Sequence, residues 1–507
     1  MNIGVLLDQA ATAYGERTAF VFEGRERTWA ESAARANALG HVLRAAGVGP
    51  GDRVGLYLQN CPEFIETMFA TWKIGAVIVP LNATYTPDEL DYHLTDCGAS
   101  LVLTDGVGLP TVSKVARVPF VVAGEDGDLE GLLAAHRGVP LPAVDRAAED
   151  VAWIGYTSGT TGRPKGAMNS HRALLAQAMS TLADVQRLET EHVTMHAAPL
   201  SHGSGYNAIA YTMKACTQVI HQRWGFDPAL FCEQVERYRV TATFLVPTQI
   251  NMIVNHPDAR RRDLSSLEWI MYGGAPMYRD HQKRALEVLG PVLVQIFGQT
   301  ESPMSGTVLR REEHDFGDDD PRAHSVGRPR VGNEIAILDH DDKPVARGGS
   351  GEICIRGATL MNGYWNRPEA TAETLRGGWL HTGDVGKLDE HGYLHILDRL
   401  KDMIISGGLN VYPHEIEDVL TAHPGIAEAC VIGIPDEKWG EAVHAVVVRA
   451  DTALDPEMVL RHAREHLAGY KRPKSVEFVD ALPKTSYGKI AKREVRARYW
   501  AHLDRVV

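Results

Sequence analysis

Apolar residues near the start of the chain switch between two periods. Across 53–58 they alternate, with Val54, Leu56 and Leu58 on one side, as in a strand with one covered face. Pro62 then opens a stretch in which Phe64, Ile65, Met68, Phe69 and Trp72 recur every three or four residues. That spacing predicts a helix with a buried stripe, and proline suits its first turn. Ala76-Val-Ile-Val-Pro80 is a short, wholly apolar run, the form of a strand covered on both faces. Strand, helix and strand in this order predict a parallel sheet clothed in helices. Similar units recur through 190–300, where 240–246 and 267–271 read as buried strands.

The texture changes after about 335. Segments 334–338, 351–356 and 393–397 read as strands between Gly/Asp turns, an antiparallel portion. A charged segment, Asp398-Arg-Leu-Lys-Asp402, separates them from a compact helical and strand pattern. That pattern places helices near 413–422, 456–467 and 490–499 and strands near 427–434, 442–449 and 475–479. The fold class predicted is an α/β large N-terminal domain with helix-covered sheets and an antiparallel β portion, plus a small α+β C-terminal domain. We place them at 1–400 and 401–507, with a hinge near 399–402.

Composition narrows the class. The 507 residues are 44% hydrophobic and 23% charged, ordinary for a globular protein of more than one domain. A net charge of −13 argues against a nucleic-acid binder, whose affinity comes from neutralising phosphates. No apolar run has the length of a transmembrane segment. Six scattered cysteines without a Cys-x-x-Cys pair, and no signal-like start, predict reduced thiols and a cytoplasmic protein. Acidic 312–320 reads as a solvated loop.

The segment richest in chemistry is Tyr156-Thr-Ser-Gly-Thr-Thr-Gly-Arg-Pro-Lys-Gly166, with three glycines, four hydroxyl side chains and two cations. Glycines admit backbone N–H groups to an anion, hydroxyls donate, and cations offset charge. Residues 153–156 read as a strand end and 170–183 as a helix, so the expected context is strand, loop, helix. It is not a Walker A loop, because Gly166 follows Lys165 where Ser or Thr is needed. Four further segments accompany it. Phe297-Gly-Gln-Thr-Glu-Ser302 sets Thr300 beside Glu301, a hydroxyl and a carboxylate suited to phosphate and Mg²⁺. Tyr272-Gly-Gly-Ala-Pro276 leaves bare backbone after a strand, and Trp379-Leu-His-Thr-Gly-Asp384 presents Asp384 in a turn. Pro483-Lys-Thr-Ser-Tyr-Gly-Lys489 ends in a lysine just after a glycine. Each alone has a plainer explanation as a turn, a cap or a solvated lysine. Together and in order they do not.

From about residue 10 to 498 the chain resembles the adenylate-forming superfamily, closest to its acyl-CoA synthetases; firefly-type luciferases and peptide-synthetase adenylation domains are relatives. The resemblance implies ATP, Mg²⁺ and coenzyme A. It implies that Thr157, Ser158, Gly159, Thr160, Thr161, Gly162 and Lys165 hold the β- and γ-phosphates of ATP. Gly274, Ala275 and Pro276 then flank adenine, Thr300 meets the α-phosphate, Glu301 holds Mg²⁺, and Asp384 and Arg399 bind ribose. Lys489 reaches in from the small domain as the catalytic cation, and His202 matches a residue at the acyl pocket and thioester half-site. Lys401 matches the hinge about which the small domain rotates, bringing Gly407 and Gly408 to the pantetheine arm of CoA. A basic set on that domain, Arg461, Arg464, Lys471, Arg472, Lys474, Lys484, Lys492, Arg493 and Arg496, is apt for CoA phosphates. A homodimer is compatible with all of this.

The implied reaction has two steps. A carboxylate displaces pyrophosphate from MgATP to give acyl-AMP, and the CoA thiol then displaces AMP. No protein nucleophile is required. The barrier is the meeting of two anions, so catalysis rests on positioning and on cations placed where charge develops. Amino-acid-activating relatives carry an acidic residue shortly after the segment matching 199–203. Here Ser204-Gly-Tyr-Asn-Ala-Ile-Ala210 has none, so a fatty or aryl acid is expected. Two alternatives stand beside this reading: an enzyme that loads a carrier protein in trans, and a non-catalytic nucleotide or acyl-AMP binding module.

Overall fold

The computed structural model describes residues 1–500 apart from 125–126, 158–162, 223–224, 276, 278, 315–319, 408, 437 and 485–489. Four sheets organise them. A six-stranded sheet runs Phe120–Ala123, Ala99–Asp105, Arg53–Tyr57, Val77–Pro80, Val151–Thr157, Lys165–Ser170, and only its last pair is antiparallel. A nine-stranded sheet has a parallel centre built from Trp269–Tyr272, Ala242–Leu245, Val193–His196 and Thr217–Ile220. Leu293–Gln299 extends it in parallel, and Ser302–Leu309 turns back antiparallel. The expected antiparallel portion is a four-stranded sheet of Asn333–Leu338, Ser350–Gly357, Leu380–Leu388 and Leu394–Arg399.

The helix Pro62–Lys73 is more deeply buried than its stripe predicts. Every position except Glu63 is buried, because its core cluster takes residues from both large sheets, among them Ile78 and Trp153 from one and Phe244 and Met271 from the other. Its charged residues are therefore paired. Lys73, 1% exposed, meets Asp8 at 2.6 Å, and Glu66, 2% exposed, takes Arg27 at 2.7 Å and Arg35 at 3.0 Å. Buried charges without such partners cost several kcal/mol.

The fourth sheet, five-stranded, carries its own core of Ile404, Val411, Ile416, Val431, Val443, Val447 and Val459 among others. Its elements are Pro413–Thr421, Ile426–Asp436, Gly440–Arg449, Pro456–His466, Ser475–Val479 and Lys492–Trp500, within two residues of the expected positions. The molecule is thus a large α/β domain followed by a small one.

Among described residues of the acidic stretch, Arg311–Glu313 forms a short 3-10 turn rather than an open loop. Tyr393 OH donates to Glu313 Oε1 at 2.8 Å, and His314 is 1% exposed.

Candidate active site

The phosphate loop does not run into a helix. Thr157 pairs with Lys165 across two antiparallel strands, Val151–Thr157 and Lys165–Ser170, and only then does His171–Ser180 begin, capped by Ser170. An unexpected strand thus precedes the expected helix, which lies at His171–Ser180. The strand character of Gly166-Ala-Met-Asn comes from pairing with 151–157. Ser158, Gly159, Thr160, Thr161 and Gly162 lie outside the described residues. The mouth of the loop is braced from one side: Tyr92 OH donates to Pro164 O at 2.7 Å, and Tyr156 OH to Asp96 Oδ2 at 2.7 Å.

Thr300 and Glu301 sit at the tip of the hairpin Leu293–Gln299/Ser302–Leu309. The pairing slips there, with Gln299 opposite both Ser302 and Pro303, and Met304 holds φ +52°. Such bulges re-aim side chains. Gly298 is required opposite: a Cβ there would lie 2.7 Å from Met304 Cα. The tip is tied to the phosphate-loop strands. Asn169 Nδ2 donates to Thr300 O at 3.2 Å, and Met361 N to Glu301 O at 2.9 Å. Trp365 N donates to Gly166 O at 2.8 Å. Glu301 is 8% exposed, and Tyr364 OH donates to its Oε1 at 2.7 Å. The same tyrosine ring lies 4.2 Å below the Lys165 ammonium. Hydroxyl and carboxylate oxygens at one tip, beside a cation, form the donor set a hard ion such as Mg²⁺ takes.

Asp384 is in a strand, not a turn. It pairs with Arg399 in register, 3.3 Å between Nε and Oδ1, and is buried at 6% exposure. The glycine read as a turn former, Gly383, holds φ +72° inside Leu380–Leu388, where the pairing with Ser350–Gly357 slips. Sequence alone cannot separate such a bulge from a turn, since both need a glycine at positive φ.

Several contributors were not singled out by sequence. Gln299 links the hairpin to the Asp384 strand, donating to Asp384 Oδ2 at 2.9 Å and Thr382 O at 2.8 Å. Glu352 holds the bulge, accepting from Gly383 N at 2.9 Å and facing His381 Nδ1 at 2.8 Å. Tyr364 lay in a stretch passed over, although Gly363-Tyr-Trp365 offered two aromatics beside a glycine.

His202 stands at the N-cap position of the helix Gly203–Met213 without a side-chain capping bond, its Nδ1 3.1 Å from Ser201 Oγ. Gly203 lets that helix close on an apolar wall: a Cβ would lie 2.9 Å from Phe244 Cε1 and 3.2 Å from Met304 Sδ. Tyr206 stacks on Trp153 at 4.3 Å, and burial, with the Glu301 charge nearby, pushes its phenol up. One turn on from Gly203, Asn207 is fully buried, and among the described residues its amide nitrogen and oxygen both lack a hydrogen-bond partner. Gly273 packs where a Cβ would lie 2.5 Å from Ile296 O, and Gly274, at φ +78°, is exposed beside Ala275. Pro276 lies outside the described residues.

In the small domain, Gly407 has φ +59° and donates to Trp439 O at 2.8 Å; Gly408 is not among the described residues. Neither is Lys489; the described residues Lys484 and Ile490 form an antiparallel bridge. Lys401 lies within electrostatic reach of Lys165; burial first, then that ammonium, lowers its pKa. Four of the basic set are engaged by carboxylates: Lys492 meets Glu417 at 2.9 Å, Arg496 meets Glu441 at 2.9 Å, and Lys471 and Lys484 pair with Glu415 and Glu428.

Known proteins resemble this chain in sequence and fold. Residues 7–365 match the family model for AMP-binding enzymes, and 415–489 match the AMP-binding enzyme C-terminal domain. A feruloyl-CoA synthase of Amycolatopsis sp is 43% identical, covering 95% of this chain and 96% of the relative. A medium/long-chain fatty-acid–CoA ligase of Mycobacterium tuberculosis is 36% identical over 92% of this chain and 84% of its own. The ATP-bound structure of MatB from Rhodopseudomonas palustris superposes with TM-score 0.89 at 34% identity, covering 98% and 99% of the two chains. An anthranilate CoA ligase holding anthranoyl-AMP gives TM-score 0.90 at 27% identity, over 99% of this chain and 98% of that one. The chain belongs to the AMP-binding enzyme family and is an ATP-dependent, AMP-forming acyl-CoA synthetase that uses Mg²⁺ and coenzyme A.

Proposed function

We propose that this ligase activates hydroxylated aryl carboxylic acids in preference to fatty acids. The observation that carries the reading is Asn207, a buried amide without a partner among the described residues, one helical turn from Gly203 and its Phe244–Met304 wall. An unpartnered buried amide costs on the order of 1–3 kcal/mol. A ring hydroxyl satisfies it and an alkyl tail does not. The feruloyl-CoA synthase relative supports the same choice.

Within this reading the loop Thr157–Lys165 takes the β- and γ-phosphates, Thr300 the α-phosphate, and Asp384 with Arg399 the ribose. Gly274, Ala275 and Pro276 flank adenine. Glu301, oriented by Tyr364, holds Mg²⁺, which when bound neutralises part of the triphosphate charge. Lys489 bridges the incoming carboxylate and the α-phosphate, offsetting the crowding of negative charge as acyl-AMP forms. His202 stands at the acyl end, and Gly407 with Gly408 receives the pantetheine arm. The domains divide near Leu400. Six buried, unbridged cysteines support a reducing, cytoplasmic setting. The homodimer is a proposal for sedimentation velocity to decide.

The test is pyrophosphate release and CoA consumption across an acid panel including ferulate, 4-hydroxybenzoate, benzoate and octanoate. Hydroxylated rings should give the highest kcat/KM. Asn207→Leu should lower it about 10–100-fold for them, the equivalent of losing one buried hydrogen bond, and leave benzoate nearly unchanged. Octanoate outperforming every aryl acid would overturn the reading. Pyrophosphate release without CoA consumption would favour a carrier-protein acceptor.

A further inference from the structure

The small domain carries a histidine cluster that adenylation and thioester formation leave unused. On the helix Pro456–His466, His462, Glu465 and His466 stand three and four residues apart, so they share one face. One ligand atom from each lies within 4.8 Å of the others, and the two imidazoles are 4.4 Å apart between centroids. We propose that these three side chains form a binding site for a divalent transition-metal ion of the zinc, nickel or copper type.

The hydrogen bonds on the rings prepare it. His462 Nε2 donates to Val419 O at 3.0 Å, which leaves the Nδ1 lone pair outward. His466 Nδ1 donates to His462 O at 2.9 Å, which leaves the Nε2 lone pair outward. Metal-bound histidines characteristically give their second N–H to a carbonyl or carboxylate, which fixes tautomer and ring orientation. Here backbone carbonyls fix both before any ion arrives. Two ligand atoms on one zinc sit within about twice the metal–nitrogen distance of ~2.1 Å, so closing from within 4.8 Å takes only side-chain adjustment. Glu465 and His466 are exposed, so adjustment is unhindered. The adjacent cation, Arg464, is engaged by Glu457. His423 packs its ring edge at 5.1 Å against His462. Its Nδ1 accepts from Gly425 N, so its Nε2 carries the proton and it does not ligate in this arrangement. Three protein ligands remain, with open positions for water. Two imidazoles with one carboxylate favour borderline transition metals over Mg²⁺, so the magnesium of catalysis does not compete.

The experiment uses the full-length, tag-free enzyme in excess MgCl₂. NiCl₂ is titrated by calorimetry, and CuCl₂ is read by electron paramagnetic resonance. One equivalent of nickel should bind, and copper should show coupling to two imidazole nitrogens. His462→Asn and His466→Asn, both on an accessible helix face, should each weaken nickel binding at least tenfold while acyl-CoA synthesis with MgATP and no added transition metal is unchanged. Stoichiometric nickel binding retained in both variants would overturn the proposal. So would thiolate coordination in the copper spectrum, which would move the ion to the buried Glu352–Cys354–His381 cluster, and so would no binding at all.

Discussion

Tyr364 serves two neighbours at once, its hydroxyl on Glu301 and its ring under the Lys165 ammonium. Tyr364→Phe separates them, because the ring stays and only the donor leaves. Losing that charge-assisted bond should cost about 1.5–3 kcal/mol where Glu301 must be aimed. kcat/KM for MgATP is expected to fall roughly 10–100-fold, with a higher Mg²⁺ concentration needed for half-maximal rate; an unchanged Mg²⁺ dependence would refute the orienting role. Lys489 belongs to the same scale. Removing one preorganised electrostatic donor costs about 10²–10³-fold. Lys489→Ala is expected to suppress acyl-AMP formation by that factor and to leave thioester formation from supplied acyl-AMP intact. Acyl-AMP formation from MgATP at near wild-type rate would remove the lysine from the first step.

The elements that position these residues were legible to different degrees. Apolar periodicity located the helix Pro62–Lys73 and the small-domain strands Ile426–Asp436 and Gly440–Arg449, because burial pattern and element coincide there. It missed the strand Lys165–Ser170 and mistook the bulge at Gly383 for a turn, because pairing with a distant strand decides both. For the same reason motif spacing found Asp384 but not Glu352, which lies on the neighbouring strand and accepts from Gly383 N. Glu352→Gln keeps the shape but weakens the bonds to Gly383 and His381. KM for ATP is expected to rise several-fold, with kcat within about twofold, because the bulge presents Asp384 in ground and transition states alike. A fall in kcat at unchanged KM would contradict that. Asn207 lies in the segment 204–210 that sequence ties to the acyl pocket, but only its lack of a partner among the described residues marks it out there.

At the scale of the whole molecule, burial holds His171, His196 and His314 neutral, each lowered from the usual 6.5 to about 4. His196 illustrates the cost of protonation: it is enclosed between Ser204 Oγ at 2.7 Å and Gln218 Oε1 at 2.9 Å. The unfolded chain therefore binds protons first. Stability is full above about pH 6.5 and falls as pH drops toward 4, by up to ~1.4 kcal/mol per pH unit for each histidine. Melting temperature should decline steeply between pH 6.5 and 5, and a flat profile would contradict the burial. The two domains together must carry out one reaction sequence with a fixed product ratio. The most direct measurement is product stoichiometry with MgATP, CoA and ferulate. Pyrophosphate, AMP and the aryl thioester should form in equal amounts. ADP with phosphate in their place, or nucleotide binding without turnover on any acid, would contradict the account.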